Sequence, residues 1–207
     1  DNGIFIPDNS AFTYIGNAAT NATIRVVTSQ DAILPRIITS AIDIYEPDLR
    51  ATVFIDDLNG APAEPGDILE YTVTGKNIGS DISLDTYMET TLNIRTEYIP
   101  NSIEYLNGGF VGAKTDVTGD DQAEYDATNR IVRTRINIGA DNNTGGTMIN
   151  SATGADSTSV KFRVQVVDDC IILDCDSTLE NEAYIYGNGQ ISGNAYNNGG
   201  ISDLYDS

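Results

Sequence analysis

Histidine and tryptophan are both absent from this 207-residue sequence, and basic residues are scarce. Without histidine, the chain has no imidazole general base, no catalytic triad built on histidine and no imidazole metal ligand. Eleven lysines and arginines stand against 31 aspartates and glutamates, which gives a net charge of −20. Such an acidic chain repels nucleic acid and anionic membranes, so we exclude both as partners.

Long apolar runs are absent as well, since no stretch approaches the roughly 20 residues that span a bilayer. The first ten residues, DNGIFIPDNS, have neither the basic nor the apolar region of a signal peptide. We therefore expect no membrane insertion, and we interpret the chain as an internal or mature part of a larger protein.

Cysteine occurs only twice, at Cys170 and Cys175 in the segment DDCIILDCDS. Zinc needs more ligands than this pair supplies, so the spacing favours a local disulfide bond over a metal site. The surrounding aspartates disfavour a thiolate, which argues against a reactive nucleophile. A disulfide implies an oxidising compartment and therefore export. The alternative is two free thiols in a cytosolic loop.

Short alternating segments and turn residues make up most of the sequence. Pro62, Pro65 and Gly66-Asp67 predict a turn, after which apolar and polar residues alternate over residues 69–74. The same alternation returns in residues 130–139 and 157–166, with turn signals about every 8 to 12 residues. This pattern predicts an all-β fold, an immunoglobulin-like Greek-key β-sandwich over residues 49–190.

Residues on either side of the sandwich are assigned to other parts of the protein. Residues 1–48 contain short β-rich runs, and we interpret them as a β segment at the end of a preceding domain. Residues 191–207 are polar and rich in turn formers, and we interpret them as a linker or the start of a next repeat.

Alternation in the last predicted strand places Glu182, Tyr184 and Tyr186 on one face. Tyr184 and Tyr186 are then exposed and could stack on sugar rings, which makes them candidate ligand-binding residues. Two basic pairs, Arg133 with Arg135 and Lys161 with Arg163, are also expected on outward faces of strands that could be neighbours. These pairs either balance charge across the sheet or bind a polyanionic polysaccharide.

The segment DVTGDDQAEYD is the densest group of carboxylates in the chain. Carboxylate oxygens are ligands that Ca²⁺ prefers, but the glycine and the bidentate glutamate of an EF-hand loop are not at their required spacing. Calcium binding and a solvated acidic loop both remain open, and no other cofactor is required. The candidate calcium ligands are Asp116, Asp120, Asp121, Glu124 and Asp126.

Four motifs occur in an order that resembles a known family. They are EPGDILEYTVTGKNIGSD (Glu64 to Asp81), EYIPNSIEYLNG (Glu97 to Gly108), GGTMINSATGADSTSVKFRVQV (Gly145 to Val166) and ENEAYIYGNG (Glu180 to Gly189). Together they resemble the DUF11-type immunoglobulin-like repeat of large bacterial cell-surface proteins. The acidic insert and the cysteine pair are similar to versions found in surface adhesins of Bacteroidota, some of which serve gliding motility. Gly75 departs from the family pattern, which has an aliphatic residue there, and predicts a bulge or looser packing.

The resemblance implies a non-catalytic structural or adhesive module on the extracellular bacterial cell surface. Its implied partners are neighbouring repeats of the same polypeptide, and surface polysaccharide or secretion machinery are further candidates. A carbohydrate-binding module of a secreted protein is the alternative function. A glycosidase that uses a pair of carboxylates is a third, although no spacing singles out such a pair.

Overall fold

Two antiparallel β-sheets dominate the computed structural model of this protein. The structure describes residues 44–60, 62–151, 153, 156–173, 178–201 and 205–206, together with residues 15, 19, 21–25, 27 and 29. The chain divides into two compact units between Ile44 and Tyr45. The β segment predicted over residues 1–48 lies mostly outside the described residues. The fold below is that of the second unit alone.

The first sheet is built on three long strands: β1 (Leu49–Asp57), β2 (Ile68–Asn77) and β10 (Thr158–Val166). Two short strands, β4 (Thr96–Tyr98) and β5 (Glu104–Tyr105), pair with β10, and β6 (Gly112–Ala113) pairs with β5. The order is therefore β1-β2-β10-β5-β6.

The remaining strands are β3 (Ser83–Thr91), β7 (Ala123–Asp126), β8 (Ile131–Arg135), β9 (Gly146–Met148), β11 (Thr178–Leu179), β12 (Glu182–Gly189), β13 (Ala195–Ile201) and β14 (Tyr205–Asp206). The second sheet has the order β13-β12-β3-β8-β7, with β9 also on β3. The separate pair of β11 with β14 and one helical turn, α1 (Cys170–Leu173), complete the described elements.

The strand order assigns the fold. β1, β2, β10 and β5 correspond to the A-B-E-D sheet of an immunoglobulin domain, and β3, β12 and β13 correspond to its C-F-G sheet. An insertion between the D and E positions adds β7, β8 and β9 to the second sheet. This arrangement confirms the predicted all-β, immunoglobulin-like sandwich.

The core lies between the two sheets and is filled by the inward residues of each strand. Tyr71 of β2 stacks on Phe162 of β10, with 5.4 Å between ring centroids. Met88 and Ile185 are fully buried in the facing sheet. Each such apolar side chain contributes about 1.5–3 kcal/mol through burial. The predicted alternation in β2 and β10 is the pattern that fills this interior.

Gly75 does not produce the bulge or loose packing that the sequence predicts. β2 keeps an unbroken register with both of its neighbours at this position. A Cβ atom on Gly75 would lie 2.8 Å from Ile185 Cδ1 and 2.8 Å from Met88 Sδ of the other sheet. The missing side chain therefore allows the sheets to pack tightly.

Residues 195–201, predicted as part of a linker or next repeat, instead form the edge strand β13. This strand pairs with β12 over its whole length, and Asn198 Nδ2 donates to the carbonyl of Leu49 in β1 at 2.7 Å. An edge strand is held mainly by backbone bonds on one side, so it needs no clear apolar alternation. For this reason the polar sequence AYNNGGI shows no alternation from which β13 could be predicted.

Candidate functional site

Three tyrosines form a patch on the outer face of the second sheet, which we call the tyrosine face: Tyr87, Tyr184 and Tyr186. Tyr186 lies opposite Tyr87, and their rings stack with centroids 4.9 Å apart. Tyr184 is 37% exposed, and its ring centroid is 6.3 Å from that of Tyr186. Both tyrosines of β12 therefore point outward, as the alternation predicts. Their role in ligand binding stays a prediction.

A β-bulge adjoins the tyrosine face. Tyr186 pairs with Tyr87 and Asn188 pairs with Leu84, so Asp85 and Thr86 together oppose Gly187 alone. Asp85 has a φ of 51°, a left-handed conformation that aspartate tolerates better than most residues. A Cβ atom at position 187 would collide with Ser83 Oγ, so a larger residue would require the Ser83 hydroxyl to move. Bulges of this kind commonly redirect side chains beside functional sites.

The bulge opens a depression of about 270 Å³ next to Tyr186. Its polar lining is Asp85, Asn188 and Asn197, and the rings of Tyr87 and Tyr186 border it. Sequence reasoning missed this depression. A glycine inside a strand pattern, in Tyr186-Gly187-Asn188, was the available signal for a bulge.

Several polar groups around the depression have no partner within the described part of the chain. These are the side-chain amides of Asn188 and Asn197 and the hydroxyls of Tyr87 and Tyr186. Asp85 uses Oδ1 to accept a hydrogen bond from the amide of Gly145 at 2.6 Å. Burial is the main cause that raises the pKa of the Tyr87 and Tyr186 hydroxyls, so both stay protonated donors at neutral pH.

An ionic cluster continues the same face onto β8 and β7. Arg133 Nε donates to Glu89 at 2.7 Å and Arg133 Nη1 donates to Glu124 at 2.6 Å, while Arg135 Nη2 reaches Glu124 at 3.0 Å. Glu124 is only 4% exposed and Arg135 only 8%. Burial opposes ionisation of Glu124, but the two arginines outweigh it, so the pKa of Glu124 lies below its ordinary value.

The two predicted basic pairs lie on opposite sheets and are not neighbours. Arg133 and Arg135 are on β8 of the second sheet, whereas Lys161 and Arg163 are on β10 of the first. Alternation shows that a side chain points outward, but it does not show which sheet a strand joins. Lys161 lies 3.2 Å from Glu104, and Arg163 Nε lies 2.8 Å from Glu70. Both pairs are thus matched with carboxylates on adjacent strands.

The five candidate calcium ligands each have a hydrogen-bond or ionic partner within the protein. Asp116 accepts from the amide of Asn101, and Asp126 accepts from the amides of Thr128 and Asn129. Asp120 and Asp121 both accept from Thr115, whereas Glu124 belongs to the ionic cluster on the sheet. Among the described residues, no three histidine, cysteine or acidic side chains are grouped so that they could hold a metal. Calcium binding stays a prediction, and it requires the loop to rearrange.

Cys170 begins the helical turn α1, is exposed, and forms no disulfide with any described residue. Its predicted partner, Cys175, lies outside the described residues. The disulfide between them therefore stays a prediction. No helix among the described residues has the length and apolar character needed to cross a membrane.

No protein-family model and no curated protein matches this chain. Solved structures similar to it include the full-length major pilin SpaD from Corynebacterium diphtheriae, at 13% identity and a TM-score of 0.46. The collagen-binding subdomain ACE19 of the Enterococcus faecalis surface protein ACE has 11% identity and a TM-score of 0.43. The N-terminal domain of the Streptococcus gordonii adhesin Sgo0707 has 12% identity and the same TM-score.

These overlaps involve different shares of the proteins compared. The match to SpaD covers 75% of this chain and 34% of that one, and the match to Sgo0707 covers 77% and 32%. The match to ACE19 covers 78% of this chain and 99% of that one. This chain thus spans about a third of the SpaD and Sgo0707 chains.

Proposed function

We propose that this chain is a non-catalytic module of a large exported bacterial surface protein, whose role is to extend and space a filament or adhesin. The observation that carries the proposal is the closed interior of the sandwich. Tyr71, Tyr105 and Phe162 fill it, and two recesses that the described residues form at the surface are open to solvent. Such a domain offers outer faces and strand edges to a partner.

The acidic residues of the sheet face also support a non-catalytic role. A general acid near neutral pH needs a carboxyl group whose pKa is raised toward the working pH. Glu124 is the most buried carboxylate on this face, and its pKa is shifted downward by Arg133 and Arg135. An ionised carboxylate held by two guanidinium groups is suited to joining strands β7 and β8, and poorly suited to donating a proton.

The finer assignment follows the four sequence motifs that resemble the DUF11-type repeat. On this assignment, the first partners are neighbouring repeats of the same polypeptide. Secretion machinery is a further partner, and gliding motility is a further role. The sequence that flanks this chain in its gene tests the assignment. Further copies of the EPGDILEYTV pattern would support a tandem array, whereas an adjacent catalytic domain would make this chain an accessory module.

A carbohydrate-binding module is the second candidate function, and the tyrosine face favours it. Tyr184 and Tyr186 present neighbouring rings on the outside of the sheet, and aromatic faces of this kind pack on the apolar faces of sugars. A glycan array probed with the 207-residue chain tests this function. Turnover of any glycan would refute the non-catalytic proposal itself.

A further inference from the structure

We infer that the depression beside Tyr186 is a binding subsite for one ring of a neutral saccharide. The inference rests on the second candidate function above and names its ligand class and its residues. It differs from a simple aromatic platform because the ligand is held by polar groups at the bulge as well as by rings. Asp85, Asn188 and Asn197 supply those groups, and the Tyr87–Tyr186 pair supplies the apolar surface.

The apolar part of the subsite is already ordered. Tyr87 and Tyr186 come from adjacent strands and hold each other in a stacked arrangement with an interplanar angle of 13°. Because the rings are fixed before a ligand arrives, binding does not require much loss of side-chain entropy. The depression is small, at about 270 Å³, which suits a single sugar ring better than a larger ligand.

The polar part matches the chemistry of hydroxyl groups, which both donate and accept. Amides of Asn188 and Asn197 offer donors and acceptors, the tyrosine hydroxyls offer donors, and Asp85 retains accepting capacity beyond its bond to Gly145. The amides of Asn188 and Asn197 lie on the same outer face as the tyrosine hydroxyls, so all of these groups can reach one ligand at the depression. A few convergent polar groups beside an apolar surface are typical of small-molecule sites.

The backbone beside the depression departs from regular β-sheet geometry. The left-handed conformation of Asp85 carries a conformational cost, and it places an acidic side chain on the rim of the depression. Glycine at position 187 leaves room for the Ser83 hydroxyl opposite Asp85, which a Cβ atom would displace. The bulge therefore builds the depression and supplies one of its polar groups.

Charge decides which class of saccharide fits. Asp85 lines the depression, Glu89 follows on the same strand face, and the chain as a whole carries a net charge of −20. The cations nearest along this face, Arg133 and Arg135, are already matched with Glu89 and Glu124. Sulfated or carboxylated sugars would meet repulsion here, so the ligand is a neutral saccharide.

The test begins with an array of neutral and acidic glycans probed with the 207-residue chain. Isothermal titration calorimetry with the best neutral oligosaccharide on the array then compares variants. Tyr186→Ala and Tyr184→Ala form a matched pair, because both tyrosines point outward from β12 but only Tyr186 borders the depression. Asn197→Ala removes one amide from an exposed position on the edge strand.

We expect Tyr186→Ala and Asn197→Ala each to weaken binding about tenfold, the loss of roughly one good hydrogen bond or ring contact. Tyr184→Ala should bind within about twofold of the unchanged chain. Asp85→Asn keeps an acceptor for Gly145 and tolerates the left-handed backbone, so it should preserve the fold while it alters affinity. Circular dichroism checks that each variant is folded. If Tyr186→Ala does not fold, the affinity of Asn197→Ala alone tests the subsite.

Three outcomes would overturn the inference. If no saccharide binds at millimolar concentration, the subsite does not exist, while the spacer function is unaffected. Binding that is lost in Tyr184→Ala but retained in Asn197→Ala would place sugars on the tyrosine face away from the depression. A preference for acidic glycans would contradict the assigned ligand class. Glycan turnover is a different result, since it would overturn the proposed non-catalytic function.

Discussion

At the scale of single residues, position 75 sets how closely the two sheets approach. Ile185 and Met88 occupy the space into which a side chain at Gly75 would project. The sequence shows a glycine where an aliphatic residue is expected, but it does not show what fills the space from the other sheet. Glycine is needed at position 75 because side chains from distant segments occupy the space beside it. The local sequence pattern does not show these contacts, so it predicts loose packing where the packing is tight.

We predict that Gly75→Val lowers the free energy of unfolding by about 1–3 kcal/mol, because overpacking forces Ile185 and Met88 out of position. Urea denaturation measures this change. Thr72→Val on the outward face of the same strand is the matched control and should change stability by less than about 0.5 kcal/mol. A Gly75→Val protein as stable as the parent would indicate the loose packing that the sequence suggests.

At the scale of elements, Glu124 joins β7 to β8 through Arg133 and Arg135, and Arg133 also pairs with Glu89 of β3. We predict that Glu124→Gln costs about 3 kcal/mol at neutral pH, because Arg135 is then buried without a charged partner. Glu104→Gln is the control, since the carboxylate of Glu104 is 43% exposed and, among the described residues, forms its ion pair with Lys161. This control should cost about 0–1 kcal/mol.

The stability cost of Glu124→Gln should depend on pH. The folded-state pKa of Glu124 lies below its ordinary value, so its stabilising charge is fully present above the unfolded pKa and is lost as pH falls through the folded pKa. The stability difference between the parent and Glu124→Gln should therefore shrink below about pH 4.3. Chemical denaturation at several pH values measures it. A constant difference down to about pH 2 would contradict a role for the charge.

The acidic loop before β7 has its own test, because calcium binding stays a prediction. Clustered carboxylates that bind Ca²⁺ stop repelling one another, so we expect millimolar Ca²⁺ to raise the melting temperature. The Asp120→Ala, Asp121→Ala double variant should lose that rise, with Asp141→Ala in a different loop as the control. An equal rise in both variants would place any calcium elsewhere.

The segment after β10 tests the predicted disulfide. A bond between Cys170 and Cys175 closes a short loop and should contribute about 2 kcal/mol. Protein isolated from its native compartment and alkylated without reductant should carry no label in intact-mass spectrometry. Two labelled thiols would remove the main chemical argument for export.

At the scale of the whole molecule, sequence periodicity predicted much of the sandwich but not its assembly. Alternation in β2, β10 and β12 is visible in the sequence because each strand has one buried face. The assignment of β8 and β10 to opposite sheets depends on topology, and β13 lacks alternation because it is an edge strand. Alternation in β12 is also what predicts that Tyr184 and Tyr186 face outward. The depression could not be predicted in this way, because it depends on the pairing of β12 with a bulged β3.

The central claim is that this chain is a module of an exported surface protein. Its exposure on the cell surface is therefore the most direct test. Antibodies raised against the 207-residue chain should label intact cells of the source organism as strongly as permeabilised ones, and brief protease treatment of intact cells should remove the label. A signal that appears only after permeabilisation, and that survives protease on intact cells, would contradict a module of an exported surface protein.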